Sequence, residues 1–164
     1  MKYFNNIAYF LLISIFFFSC TNKDTEDVIE PDETKKEIIE NQSIEDQILT
    51  LINEHRSSIN LSILEKNETA VQLAKEHTDY MISIKKINHD NFDERSKVLR
   101  DNENARAFAE NVAVGQPTPQ SVVQAWLDSP GHRVNIEGDY NYTGIAAIRD
   151  SNGRYYYTQI FLKK

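Results

Sequence analysis

The sequence predicts an α+β domain in which helices come first and a strand, a further helix and a hairpin follow. Apolar residues recur at spacings of three and four in two N-terminal segments, which is the period of an amphipathic helix. Two runs of alternating residues flank Asp150–Gly153 near the C-terminus, as in a β-hairpin. No βαβ repetition or internal repeat is present, so helices and an antiparallel sheet segregate as in α+β domains.

The first two helices are predicted from their N-caps and their apolar faces. Ser43 followed by Asp46 resembles a capping box with Asp in place of Glu. Asn67 is positioned as the N-cap of a second helix, which extends from about 68 to about 83. The first apolar face contains Ile48, Ile52, His55 and Ile59, and the second contains Ala70, Ala74, His77, Met81 and Ile84.

The remaining elements are shorter. A third helix is predicted around 93–99, and residues 108–115 read as a strand. Thr118 before Pro119 predicts a fourth helix that buries Val122, Val123 and Trp126 and stops at Ser129-Pro130-Gly131. The hairpin joins strands 143–149 and 154–162. In the second strand alternate side chains point to opposite faces. One face contains Tyr156, Thr158, Ile160 and Leu162, and the other contains Tyr155, Tyr157, Gln159 and Phe161.

Composition excludes several classes of protein. A chain of 164 residues with 18 Lys+Arg against 25 Asp+Glu lacks the basic surface that nucleic acids require, so no nucleic-acid partner is expected. The single cysteine excludes an intramolecular disulfide and a cysteine-based zinc cluster. A hydrophobic content of 40% excludes wholesale disorder.

The first twenty residues predict an export signal. The run from Ile7 to Phe18 is apolar except for Ser14, and at about 1.5 Å per residue it is too short for a hydrocarbon core of about 30 Å. It follows Lys2 and ends at Phe-Phe-Ser-Cys, which resembles the bacterial lipoprotein signal with Cys20 as the lipid-attachment residue. The alternative is an ordinary cleaved signal with an incidental cysteine.

Residues 21–43 predict an acidic, flexible tether. Eight acidic residues and three lysines occur in this stretch, which has too little apolar surface to repay the entropy of ordering. The protein is therefore expected at the bacterial cell envelope, anchored to the outer membrane or the cell surface and facing away from the cytoplasm. An alternative function of the acidic stretch is a surface-sorting tag.

The four histidines divide into two pairs. His55 and His77 lie on apolar helix faces, where a buried and hydrogen-bonded core histidine is the expected role. His89 and His132 are expected in polar turns. Two imidazoles with a carboxylate would make a plausible zinc site with an open position, although no His-x-x-x-His pair fixes both rings on one helix.

Several short blocks of residues follow one another between residues 45 and 162. They are Asn53-x-x-Arg56, Ala74-x-x-His77-x-x-x-Met81, His89-x-x-Phe92, Ala109-Glu110-Asn111-Val112-Ala113, Ala125-Trp126-Leu127-x-Ser129-Pro130-Gly131-His132-Arg133-x-Asn135-Ile136 and Tyr157-Thr158-Gln159-Ile160-Phe161. In this order the blocks resemble the SCP domain of the CAP superfamily, especially its short bacterial branch. The resemblance implies an α-β-α sandwich with a three-stranded antiparallel sheet.

The resemblance also implies a cleft with two histidines and two acids. His89, His132 and Glu110 match three of these, and Ser129 stands where many members have the second acid. Some members bind zinc or another divalent cation through the two histidines, so the candidate cofactor is Zn²⁺ or another divalent cation. Gln159 is a further candidate for the cleft, and the alternative role of Glu110 is a strand-edge ion pair with a base such as Arg133.

The sequence is compatible with three functions. The first is a lipid-anchored binding or interaction module with a lipid, a cell-envelope component or a protein as ligand, and with the membrane as partner through the acyl chains on Cys20. The second is a zinc-dependent hydrolase in which His89 and His132 hold the metal and Glu110 is the general base. A structural domain with a vestigial cleft is the third.

Overall fold

The computed structural model describes residues 42–164, and the predicted signal, Cys20 and nearly all of the tether lie outside them. The described part of the chain forms α1 (Ile44–Ser58), β1 (Glu65–Lys66), α2 (Glu68–Ile84), α3 (Phe92–Glu103), β2 (Ala107–Val114), α4 (Pro119–Asp128), α5 (Pro130–Ile136), β3 (Tyr142–Arg149) and β4 (Tyr155–Lys163).

The predicted caps are present. The side chain of Ser43 accepts a hydrogen bond from the Asp46 amide at 3.1 Å, and that of Asn67 accepts one from the Ala70 amide at 2.9 Å. The side chain of Thr118 accepts from the Ser121 amide, while Ser121 returns a bond to the Thr118 backbone. These bonds satisfy amides that the first helical turn leaves without partners, which explains why each helix begins where it does.

The sheet has four strands in the order β1-β3-β4-β2. Strands β3 and β4 pair antiparallel, as do β2 and β4, but β1 pairs with β3 in parallel through Glu65 and Lys66. The expected three-stranded antiparallel sheet is therefore wrong by one strand. The reason is that two residues are too few to show an alternating pattern.

Helices cover both faces of the sheet. Tyr157 and Phe161 of β4 pack with Ile48 and Ile52 of α1 and with Trp126 of α4. On the opposite face, the second core cluster contains Ala70, Leu73 and Ala74 of α2, Leu99 of α3 and Ile160 of β4. The two faces predicted for β4 thus have separate helical partners, and the domain is a three-layer α-β-α arrangement.

Three differences from the expected helices bear on the site. Helix α3 begins at Phe92 and reaches Glu103, further than predicted. The chain does not remain a loop after Pro130 but forms α5, so His132 lies on a helix and not in a turn. Ile59 and Ile84, expected on apolar faces, are 42% and 43% exposed because they lie at helix ends beyond the core.

Two close contacts hold the layers together. Gly144 of β3 lies directly against α2: a Cβ at this position would lie 2.1 Å from the Ala70 carbonyl carbon and 2.2 Å from the Val71 amide nitrogen. The guanidinium of Arg56 is buried and donates to the carbonyl oxygens of Ser62, Ile136, Gly138 and Tyr140. Arg56 therefore ties α1 to the segment between α5 and β3.

Strand β2 is an edge strand whose outward carbonyls are bonded by side chains. Trp126 Nε1 donates to the Val112 carbonyl at 3.3 Å, Asn135 Nδ2 to the Glu110 carbonyl at 3.4 Å and Tyr140 Oη to the Phe108 carbonyl at 3.4 Å. The side chains come from α4, from α5 and from the segment that follows α5. These contacts place α5, and with it His132, beside the edge that carries Glu110.

Candidate functional site

Glu110 is the centre of the candidate site. It lies on β2 with its side chain only 1% exposed, on the sheet face that packs against α2 and α3. Arg95 Nε donates to Oε2 at 2.8 Å, and Arg95 Nη2 donates to Oε1 at 2.8 Å. A buried carboxylate needs such a partner, because an unpaired charge in the interior is strongly unfavourable.

Arg95 is held in place from two sides. Its Nη1 donates to the Asp90 carbonyl at 2.7 Å, and its guanidinium carbon lies 6.0 Å from the centre of the Phe92 ring. The alternative role of Glu110, an ion pair with a base such as Arg133, is correct in kind but not in partner, because the Arg133 side chain bonds the Leu127 carbonyl. Sequence reasoning missed Arg95, although Arg95 and Leu99 are four residues apart on the buried face of α3, which is a usable signal.

His89 joins this ion pair at the surface. Its Nδ1 lies 2.8 Å from Glu110 Oε1, and its side chain is 51% exposed. Because the carboxylate accepts, Nδ1 carries the hydrogen, and Nε2 is the acceptor of the neutral ring. His89 and Glu110 line an open cavity of about 270 Å³ with Phe92, Phe108, Ala109 and Asn135.

His132 approaches from the other side of the β2 edge. Its carbonyl accepts a hydrogen bond from Asn111 Nδ2 at 3.1 Å, and its buried Nδ1 has no hydrogen-bond partner among residues 42–164. Burial lowers the pKa of His132, and the nearby His89 lowers it further. The charge of His89 thus reaches His132, which is favoured in its neutral form, but His132 does not line the cavity at His89.

Asn111 and Asn135 brace the site. Asn135 Nδ2 donates to Asn111 Oδ1 at 2.8 Å, and Asn111 in turn bonds the first turn of α5 through the His132 carbonyl. This pair of amides fixes α5 against β2.

Gln159 lies deeper than the cavity. It is fully buried on the face of β4 opposite to Glu110, and its Nε2 donates to Thr143 Oγ1 at 3.2 Å. Its Oε1 has no hydrogen-bond partner among the described residues. Gln159 does not line the cavity at His89, because its side chain points into the core beside β3.

His77 is the buried neighbour of the ion pair. Its Nε2 donates to the Asn88 carbonyl at 2.8 Å and lies 3.7 Å from Glu110 Oε1. Burial lowers the pKa of His77 more than the carboxylate raises it, so the ring stays neutral. The predicted role as a buried, hydrogen-bonded histidine fits His77, whereas His55 is partly exposed and bonds Glu137 at 2.9 Å.

The residues do not fit a catalytic zinc centre. Both oxygens of Glu110 bond the cationic Arg95, and Ser129 at the place of the second acid offers no carboxylate. Among residues 42–164 no group of three or more His, Cys, Asp or Glu side chains is arranged to hold a metal ion. A catalytic zinc site normally has three protein ligands, and two imidazoles alone do not supply them.

Within residues 42–164, every helix is too short or too polar to cross a membrane.

A family model for the Cysteine-rich secretory protein family, CAP, matches residues 49–161. Over 60 residues the chain is 37% identical to the uncharacterized protein YkwD of Bacillus subtilis. That match covers 36% of this chain and 22% of YkwD, so it spans about a fifth of that relative.

Solved structures show the same fold. An outer surface protein of Borrelia burgdorferi has a TM-score of 0.67 at 24% identity, over 74% of this chain and 92% of that chain. An extracellular SCP-domain protein of Bacillus anthracis has a TM-score of 0.65 at 27% identity, over 74% of this chain and 40% of that chain. With the family model over most of the domain, these matches establish that the chain belongs to the Cysteine-rich secretory protein family, CAP.

Proposed function

We propose that this protein is an extracytoplasmic, lipid-anchored CAP-domain protein that acts as a binding module. The observation that carries the proposal is the bonding of Glu110, whose two oxygens are taken by Arg95 and His89. A carboxylate that accepts hydrogen bonds from Arg95 and His89 fixes the orientation of the histidine ring and is not available as a general base. We therefore favour binding over hydrolysis.

The ligand site of this proposal is the cavity at His89. It offers Nε2 of His89 as an acceptor beside the apolar walls of Phe92 and Phe108. A ligand with a hydroxyl or amide donor next to an apolar group complements this arrangement. Lipids, envelope glycans and exposed protein loops are partners with such groups.

The zinc-hydrolase alternative has no supporting contact within the described residues. It requires a free base and a third ligand, and Glu110 supplies neither while Arg95 bonds it. If a zinc ion were present, His89 and His132 would be the residues to hold it.

The anchor of this proposal is Cys20. Its support is the short apolar run that ends at Ser19-Cys20, together with the acidic stretch that follows. Two structurally similar proteins are described as an outer surface protein and an extracellular protein, which is consistent with export of this chain. Placement at the cell envelope, outer membrane or surface rests on that reasoning.

The binding proposal is tested by nuclear magnetic resonance on residues 21–164. Envelope glycan fragments, lipid micelles and host extracellular proteins are added in turn, and the resonances of the cavity residues are followed. We expect one of these classes to shift His89 and Phe92, and His89→Gln to weaken binding about tenfold. The zinc-hydrolase alternative would be correct instead if the protein took up zinc and had a hydrolytic activity that His89→Ala and His132→Ala each abolished.

The anchor is tested separately by metabolic labelling with a fatty acid. Wild-type protein should incorporate the label and sediment with membranes, whereas Cys20→Ser should lose the label and be released. A Cys20→Ser protein that stays on the membrane would contradict lipid anchoring without affecting the binding proposal.

A further inference from the structure

We propose that the groove between α2 and α3 is a second ligand site, which binds the ammonium group of an aliphatic amine. The groove has a volume of about 300 Å³, at the lower end of small-ligand sites. Its walls are two helical faces with spacings of three and four residues. They comprise Leu73, Glu76, His77 and Tyr80 of α2, with Glu94, Arg95 and Val98 of α3 and the preceding Asn91.

The charge of the groove favours a cation. Glu76 and Glu94 stand on opposite walls, and both residues are exposed. Glu76 accepts a hydrogen bond from Gln72, but Glu94 has no hydrogen-bond or ion-pair partner among residues 42–164. The lining contains two basic residues, Arg95 and His77: Glu110 neutralises Arg95, and burial lowers the pKa of His77.

Nearby lysines do not satisfy these carboxylates. Lys75 pairs with Asp79 at 2.7 Å, and Lys97 pairs with Asp101, in each case one turn along its own helix. Both ion pairs lie outside the lining of the groove. The two glutamates therefore leave a negative rim that a ligand cation can occupy.

The floor of the groove favours an aliphatic chain. Leu73 is buried and Val98 is half-buried, and they come from opposite walls. The Tyr80 ring stacks on His77 with centroids 6.0 Å apart, and its hydroxyl donates to Asp90 at 2.9 Å. The aromatic wall is thus held in place before a ligand arrives, which lowers the entropy cost of binding.

This groove is separate from the cavity at His89. Arg95 lines the groove and Glu110 lines the cavity, so their ion pair lies between the two. The inference does not depend on the proposed function, because the two cavities share no lining residue.

The test is a titration of residues 21–164 with hexylammonium, followed by amide resonances. Hexanol and hexanoate have the same chain with a neutral and an anionic end, and Nα-acetyl-lysine amide presents the ammonium on a lysine side chain. We expect hexylammonium to shift resonances of α2 and α3 around Leu73 and Glu94, and hexanol and hexanoate to bind at least about fivefold more weakly. Binding of the lysine derivative as well would point to a protein or peptide source, and its failure would point to a free amine.

Four variants test whether hexylammonium binds in this groove. Glu94→Gln and Glu76→Gln should each weaken hexylammonium binding about threefold to fivefold, since each removes one exposed ion pair. Glu68→Gln, on α2 but outside the groove, should leave binding unchanged, and Val98→Phe should block it by filling the floor. Equal binding of hexanol, tighter binding of hexanoate, no binding of hexylammonium, or no loss in Glu94→Gln would each overturn the inference.

Discussion

Arg95 and Glu110 form a two-bonded ion pair inside the domain, with both oxygens of the carboxylate engaged and only 9% of the arginine side chain exposed. The pair joins α3 to β2 across the layer boundary. It also decides the chemistry of the neighbouring cleft, because the carboxylate is bonded before any ligand reaches His89.

We expect Arg95→Met to destabilise the domain by about 3–5 kcal/mol, because it leaves the buried carboxylate of Glu110 without its partner. Chemical denaturation of residues 21–164 measures the free energy of unfolding. Arg100→Ala is the matched control, since Arg100 lies on the same helix, is exposed, and only covers the Phe108 ring. Its cost should stay below about 1 kcal/mol.

The double variant Arg95→Met/Glu110→Met distinguishes the interaction between the two charges from the free-energy cost of burying them. Replacing both charges by apolar side chains of similar length should restore most of the stability lost in Arg95→Met. A double variant as unstable as the sum of the two single variants would show that the residues do not interact.

His77 should make stability depend on pH. Burial lowers its pKa from the ordinary value of 6.5, so below pH 6.5 the unfolded chain binds a proton that the folded chain does not. Stability is therefore complete above pH 6.5 and falls as the pH is lowered, by at most about 1.4 kcal/mol per pH unit for one histidine. The groups that face this ring are Tyr80, Asn88, Glu110, Arg95 and His89.

His77→Gln isolates this contribution, because glutamine keeps a donor for the Asn88 carbonyl but does not titrate. Denaturation at several values between pH 5 and pH 8 should give a flatter dependence for the variant. Parallel curves for the wild type and the variant would refute the assignment to His77.

Gly144→Ala should be strongly destabilising because the new Cβ collides with the α2 backbone at Ala70 and Val71. Overpacking of this kind costs about 1–3 kcal/mol or more, and the neighbours here are backbone atoms that cannot rotate away. Gly131→Ala is the control, since a Cβ there meets nothing within 4 Å. Thermal unfolding should show a large drop for the first variant and none for the second.

Arg56→Met should lower the free energy of unfolding by at least about 3 kcal/mol, because several buried carbonyls lose their donor at once. Arg56→Lys should recover only part of this loss, since one ammonium cannot reach the same set of acceptors. Unfolding monitored by circular dichroism measures both. A fully stable Arg56→Lys would contradict the requirement for the planar guanidinium.

Local signals in the sequence were sufficient for most elements. Ser43, Asn67 and Thr118 each predicted a helix start, and each side chain accepts the expected amide. The alternation of side chains along β4 predicted its two faces. In the structure each face has its own helical neighbour: Tyr157 contacts Trp126 on one face, and Thr158 bonds Thr78 on the other. The positions of His89, Glu110 and His132 came from the family resemblance rather than from periodicity.

The missed features depend on contacts between distant segments. Strand β1 exists because Glu65 and Lys66 reach β3, more than seventy residues later. Arg95 pairs with Glu110 only because α3 packs beside β2, and spacing along the chain does not specify that contact. Helix α5 begins at Pro130, directly after its N-cap Ser129, because the proline that prevents α4 from continuing is also suited to the first turn of a new helix.

The side chains of Trp126, Asn135 and Tyr140 along β2 have a consequence for association between molecules. By occupying the carbonyl oxygens that face outward from this edge, they leave a second chain few acceptors on which to extend the sheet. Crowded copies of this domain should therefore resist edge-to-edge aggregation through β2. The contacts that position His132 therefore also prevent the sheet from being extended beyond β2.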